Sequence, residues 1–193
     1  MKKNLILIGG GGHCKSCIDV IEQDDAFNIA GILDVKEKIG QKILGYEIIG
    51  SDDEIETYAA KGYSFLITVG HMRSPELRVR LYNRVLAAGA ELPVIIAATA
   101  HVSRHSHVGA GTIVLNSAIV NADAKVGVNC IINTRALIEH DAVVGDHCHI
   151  STGAILNGGA SVGEKTFVGS GTVTREQAFI PAESFIKAQS LVK

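Results

Sequence analysis

The stretch Ala124–Ile150, AKVGVNCIINTRALIEHDAVVGDHCHI, repeats with a period of six residues. Val126, Ile132, Ile138, Val144 and Ile150 stand six apart, and a small residue, Ala124, Cys130, Ala136, Ala142 or Cys148, precedes each of them by two. Residues two apart on a strand point to the same side, so every hexad sends one aliphatic and one small group inward before the chain must turn. The pattern continues in both directions. From Val102 to Val192 every sixth residue is aliphatic except Thr174, and the companion series from Ala100 to Ser190 contains no large side chain. Gly109, Gly127, Gly145 and Gly163 recur every eighteen residues, which implies three hexads to one coil of triangular section. So regular a pattern describes a β-helix of stacked short strands, not a sandwich. With strands about 4.8 Å apart, about five coils make a prism roughly 25 Å tall.

The residue just before each inward aliphatic one points outward, and sorting these residues by coil shows what each prism face offers. One face reads His101, Ile119, Leu137, Ile155, Val173, Leu191, and a second reads Ile113, Ile131, His149, Phe167, Phe185. The third, His107, Lys125, Val143, Ser161, Phe179, is mixed. Two apolar faces on one prism suit three prisms packed about a threefold axis, so a homotrimer is expected. The alternative is that the first domain or the C-terminal end covers one face.

The first ninety residues follow another pattern. Leu5–Ile8, four glycines at 9–12 and the amphipathic stretch from His13 to Glu22 read as strand, tight turn and helix. A second strand runs from Asn28 to Leu33 and ends at Asp34; a third runs from Tyr63 to Val69 and ends at Gly70. Ser74-Pro75-Glu76 then reads as the start of a helix reaching about Ala88. Alternating strands and helices assemble economically as a parallel, Rossmann-like α/β sheet. Glycines at the end of the first strand let backbone amides approach phosphate oxygens at a helix N-terminus, so a phosphorylated ligand is expected there. Asp34 is placed either to accept a ribose or sugar hydroxyl or to serve as an ordinary turn residue. Full NAD binding is disfavoured, because position 14 is Cys where a third glycine belongs and the domain is too short for two mononucleotide halves.

With 193 residues the chain can bury a core without staples, and 18 Lys+Arg against 20 Asp+Glu give no field that would gather nucleic acid or an anionic membrane surface. Leu5–Ile8 is too short for a signal-peptide core or a membrane span, so a cytoplasmic enzyme is expected. Four cysteines give no disulfide framework in this context. Cys14-x-x-Cys17 has redox or zinc spacing, but no second pair completes four ligands, and Cys130 and Cys148 fill small-residue slots of the repeat. His147-x-His149 lacks a third ligand of metal spacing, so no metal is expected. His101, His105, His107 and His147 read as solvated or local.

The hexad array behind a Gly-rich α/β domain resembles the left-handed parallel β-helix acyltransferases. Within them the chain is similar to bacterial sugar acetyltransferases, including the UDP-4-amino-sugar N-acetyltransferases of the bacillosamine type and the sialic acid O-acetyltransferases. Ile132–Asp141, His147–Ser151 and Leu156–Gly159 carry most of this likeness. The resemblance implies two domains, 1–92 for a nucleotide sugar and 93–193 a left-handed β-helix for acetyl transfer. It implies acetyl-CoA as cosubstrate and the amine of a nucleotide-linked, UDP-type 4-amino sugar as acceptor, in bacterial glycan biosynthesis. It further implies His140 as general base, Asp141 as the carboxylate that orients it, and His149, Gly158 and Asn133 on the acetyl-CoA side. Gly11, Gly12, His13, Asp34 and Gly70 match the loops that hold the sugar nucleotide. His140 lies two residues past inward-facing Ile138, at a corner rather than in the core, and the equivalent positions one coil away, Ala122 and Gly158, are small. The family's Gly-x-Pro-Ala tail is replaced by Lys187-Ala188-Gln189-Ser190. Two other functions fit the same chain: O-acetylation of a sialic-acid-type sugar, and a non-catalytic β-helix scaffold.

Overall fold

The computed structural model describes residues 2–24 and 26–193. Contacts divide the chain into two units, one formed by 1–70 and 76–93, the other by 71–75 and 94–193.

In the first unit β1 (Lys3–Ile8) is an inner strand, with Leu5–Ile8 fully buried. It is followed by α1 (Gly12–Ile21), β2 (Phe27–Leu33), β3 (Lys42–Ile43), β4 (Tyr46–Gly50), α2 (Ile55–Ala60), β5 (Ser64–Ile67) and α3 (Glu76–Ala87). The strand order is β3-β4-β2-β1-β5. The β1–β2, β1–β5 and β2–β4 pairs are parallel, as the alternation of strands and helices led one to expect, but β3 pairs antiparallel with β4, so the sheet is mixed. A two-residue turn makes that edge: Leu44 and Gly45 both have positive φ, at 47° and 92°, the backbone that joins tight hairpins. Buried Arg78 on α3 donates to the carbonyls of Ile67 and Val69, and the Thr68 hydroxyl donates to Gly9 O at 2.7 Å, so the end of β5 is tied to its helix and to the glycine turn.

The second unit is a left-handed parallel β-helix of two-residue strands in three parallel sheets of 6, 5 and 6 strands. Ile119, Leu137, Ile155, Val173 and Leu191 stack in one sheet, each eighteen residues from the next, as the glycine spacing required. The inward positions Val120 to Ile180 and the small series Ala118 to Ala160 form one continuous buried core. At Gly109 and Gly145 the next coil approaches so closely that an added Cβ would lie 2.7 and 2.6 Å from its backbone, so glycine is required there by space rather than by φ. Positive φ falls elsewhere. Every sixth residue from Gly111 to Gln189, three past the aliphatic position, is left-handed. Most of these are not glycine. Thr174 is not a flaw in the repeat: its buried hydroxyl accepts from Asn157 N at 2.9 Å while Asn157 Nδ2 takes the Thr174 carbonyl at 2.7 Å.

The expectation of two uncovered apolar faces needs correction. On the second face Ile113, Ile131, His149 and Phe167 are already buried within the single chain, and the ring of His71 packs edge-on against His149. The first face remains reachable from Ile119 to Leu191, and on the third Val143 and Phe179 are exposed. Among the described residues no helix is long and apolar enough to cross a membrane.

Candidate active site

Residues 139–142 form a corner turn in which Ala142 N–H bonds Glu139 O and Asp141 takes φ 62°, the geometry of a type II turn. Asp tolerates this left-handed backbone better than most side chains. His140 holds the preceding, outermost position, and its side chain and that of Asp141 are 66% and 64% exposed. Nδ1 of His140 lies 2.8 Å from Asp141 Oδ2. A carboxylate can only accept, so Nδ1 carries the proton and Nε2 presents its lone pair outward. The hydrogen bond that His140 donates to Asp141 raises its pKa above the ordinary imidazole value, with the charges of Asp141 and Glu139 acting in the same sense.

The turn one coil on contains Gly158 and Gly159, and the imidazole rests against it. A Cβ on Gly158 would stand 2.7 Å from Cε1 and 2.9 Å from Nε2 of His140. Gly158 O accepts from Gln177 N, while the Gly158 N–H has no hydrogen-bond partner among the described residues. A base with a free lone pair and an unpaired amide N–H therefore stand side by side. Such a pair can take a proton and steady a developing oxyanion.

His149 and Asn133 form a second group. His149 Nδ1 is 2.7 Å from the His71 carbonyl, so it must be the protonated nitrogen, and Nε2 accepts from Asn133 Nδ2 at 3.1 Å. The amide orientation of Asn133 is set in turn by Thr134 N–H, which donates to Oδ1 at 2.8 Å. Both ring nitrogens are thus engaged within the protein, and His149 is buried, edge-on to Phe167. His71 gave no signal in the sequence, because its contribution is a backbone carbonyl.

In the first unit, added Cβ atoms at Gly11 and Gly12 would meet nothing within 4 Å, so the space over the turn is open, and no side chain caps α1 at Gly11. Gly70 lies against His13, whose Nε2 is 3.5 Å from Cys17 Sγ. Asp34 is more occupied than a sugar-binding carboxylate would be. Its Oδ1 accepts from Val35 N at 2.7 Å, and its Oδ2 accepts from Gly10 N at 2.7 Å and from Lys38 Nζ at 3.0 Å. Partial burial would raise this carboxyl, but the two amides and Lys38 outweigh it and hold the pKa below the ordinary value. Lys38, which the sequence pattern did not single out, is held beside the glycine turn by this contact. Burial pushes the Cys14 thiol up to about 11 and Cys17 higher still, as for thiols packed in a core rather than reactive thiolates. Among the described residues no group of three or more His, Cys, Asp or Glu is arranged to hold a metal ion.

A family model described as the PglD N-terminal domain matches residues 4–85. No curated protein matches the chain. Among solved structures it is similar to PerB from Caulobacter crescentus in complex with CoA and GDP-perosamine, at 30% identity and TM-score 0.90 over 98% of this chain and 88% of that one. A histidine-to-asparagine mutant of perosamine N-acetyltransferase from the same organism, with the same two ligands, matches at 29% identity and TM-score 0.91, with the same coverage. The acetyltransferase domain of PglB from Neisseria gonorrhoeae FA1090, in complex with acetyl coenzyme A, matches at 25% identity and TM-score 0.89 over 100% of this chain and 93% of that one.

Proposed function

We propose, because this chain belongs to the hexapeptide-repeat sugar N-acetyltransferases, that it transfers acetyl from acetyl-CoA to the amine of a nucleotide-linked 4-amino sugar with His140 as general base. The observation that carries this reading is the imidazole, oriented by Asp141 at 2.8 Å, resting beside the unpaired amide of Gly158. As the sugar amine attacks the thioester carbonyl, Nε2 of His140 accepts its proton and Asp141 stabilises the resulting imidazolium. The Gly158 N–H donates to the carbonyl oxygen as it gains charge, and CoA leaves as thiolate without a covalent enzyme intermediate. Asn133 serves the acetyl-CoA side, and His149, whose nitrogens are both taken, acts there by fixing the Asn133 amide.

The nucleotide sugar is assigned to the Gly11–Gly12 turn with His13 and Gly70, where open space and uncapped amides favour a phosphate. Asp34 contributes by holding Gly10 and Lys38, and the lysine supplies the cation. Copies of the chain associate as a homotrimer through the exposed Ile119–Leu191 face, and the exposure of His140 suits a site completed by a second copy. The enzyme works in the cytoplasm, where acetyl-CoA is available.

The test is release of CoA thiol from acetyl-CoA with a panel of UDP- and GDP-linked amino sugars and free sialic acids. Turnover is expected with an amino sugar nucleotide, and His140→Ala should lower it by about 10² to 10⁴. Turnover with sialic acids alone would establish the O-acetylation reading, and turnover with none the scaffold reading. Full activity of His140→Ala would remove it as base.

A further inference from the structure

We propose that Glu139, anchored by Asn121, is the positioning residue of the His140 base. The inference rests on the reading of His140 as base. The backbone of the corner is fixed from several directions. Glu139 N–H bonds Leu156 O of the next coil, Asp141 N–H bonds Ala122 O of the previous one, Gly159 N–H bonds His140 O, and Ala142 N–H closes the turn on Glu139 O. One amide remains, that of His140 itself, the residue whose Cα–Cβ direction matters most. It donates to Glu139 Oε2 at 3.2 Å, and the same oxygen accepts from Asn121 Nδ2, one coil below, at 2.9 Å. With these contacts every backbone N–H from Glu139 to Ala142 has a partner.

The equivalent corner one coil on is arranged differently. One coil on, Asn157 spends its amide on the Thr174 carbonyl, and the Gly158 N–H, equivalent to that of His140, has no partner among the described residues. The coil that carries the base therefore has its outer amide tied down, while the coil proposed to meet the thioester oxygen keeps that amide available. Glu139 adds a second effect. The turn residues of the coil below are Asn121, Ala122 and Asp123, and those of the coil above are Asn157, Gly158 and Gly159. The charges that act on the imidazole are those of Asp141 and Glu139. Both favour the imidazolium that forms when the base takes its proton.

Because one oxygen accepts both hydrogen bonds, the amide oxygen of a glutamine can reproduce them and remove only the charge. This separates position from electrostatics. Glu139→Ala, Glu139→Gln and His140→Ala are compared for kcat, acetyl-CoA KM and the pH dependence of kcat/KM. Glu139→Ala is expected to lower kcat about tenfold, with acetyl-CoA KM changed less than about twofold. Glu139→Gln is expected to keep the parent kcat at high pH while its rising limb moves to lower pH. If His140→Ala is inactive and Glu139→Ala matches the parent in both kcat and pH profile, the positioning role is overturned and the base assignment stands. Should His140→Ala remain fully active, the base assignment fails and this inference with it. If Glu139→Ala does not fold, Asn121→Ala, which removes the anchor and leaves the charge, decides: a parent kcat overturns the proposal, and a kcat lowered several-fold with acetyl-CoA KM little changed supports it.

Discussion

Replacing Gly158 with alanine adds one methyl group, and the structure states what it would strike. The new Cβ would stand 2.7 Å from Cε1 and 2.9 Å from Nε2 of His140, where ordinary contact begins at 3.4 Å. The imidazole must therefore retreat by about 0.7 Å, and it can do so because it is an exposed side chain rather than packed backbone. Gly158 does not have positive φ, so alanine is not strained there, whereas Gly159 sits at φ 68°. Stability should hardly change, with Tm within about 1–2 °C of the parent. Catalysis should suffer, since a displacement approaching 1 Å can cost up to about 10² in rate. We expect kcat to fall about 10- to 100-fold, or about 1.4–2.7 kcal/mol of transition-state stabilisation. As the ring swings away from Asp141, the acid limb of kcat/KM should also move down towards the ordinary imidazole range. The assay is thiol release under saturating acetyl-CoA, with a melting curve beside it. Gly159→Ala is the counter-control: left-handed backbone makes it cost stability, on the order of 1 kcal/mol. A folded Gly158→Ala enzyme with parent kcat and parent pH profile would refute the claim that ring position at this corner governs the rate.

Asp141 raises the His140 pKa, so the base becomes unprotonated only above the ordinary imidazole value, and activity should rise with pH through that higher value. Asp141→Asn should move the limb to lower pH and reduce the plateau, and an unmoved limb would show that Asp141 does not set the titration of the base. Leu137→Arg, in the middle of the reachable apolar face, should convert roughly three associated chains into monomers by light scattering and abolish turnover with them. A trimer that survives this change would place the interface elsewhere. Cys148 Sγ donates to Gly163 O at 3.1 Å, as Thr166 does to Pro181 O at 3.0 Å one coil on. Cys148→Thr should consequently be more stable than the isosteric Cys148→Val by about 1 kcal/mol, read from melting curves, and equal stability would mean that packing alone accounts for the thiol.

The β-helix was legible because its core positions recur at a fixed spacing. The inward residue is aliphatic in every hexad but that of Thr174, and a small companion precedes it, so Val102 to Val192 disclose the coil without help from distant contacts. The glycine-rich strand-turn-helix at the start was legible for a related reason: local chain geometry restricts the residues a tight turn can use. The His140-Asp141 corner was likewise readable, since its place in the hexad puts it outside the core. The left-handed positions were not. Ser117, Asp123, Arg135, His147, Lys165 and Gln177 all occupy them, because the hydrogen bonds of adjacent coils impose that backbone on whatever residue stands there.

Sequence by itself therefore determined the architecture, the corner histidine with its neighbouring carboxylate, and the glycines that meet the backbone of the next coil. Only the tertiary structure decided which of the marked groups remain available. Asp34 gives both carboxylate oxygens to Gly10, Val35 and Lys38, and His149 gives its nitrogens to Asn133 and to a carbonyl 78 residues away. The face of Ile113 and Ile131, apolar and outward by its pattern, is already covered as far as Phe167, and only Phe185 at its end is exposed. Glu139 became part of the site only when Asn121, eighteen residues earlier, came to lie beneath it. The physical reason is common to these cases. Periodicity and local propensity report where a side chain points, but whether its hydrogen-bonding capacity and apolar surface are already used depends on groups that only folding brings within reach.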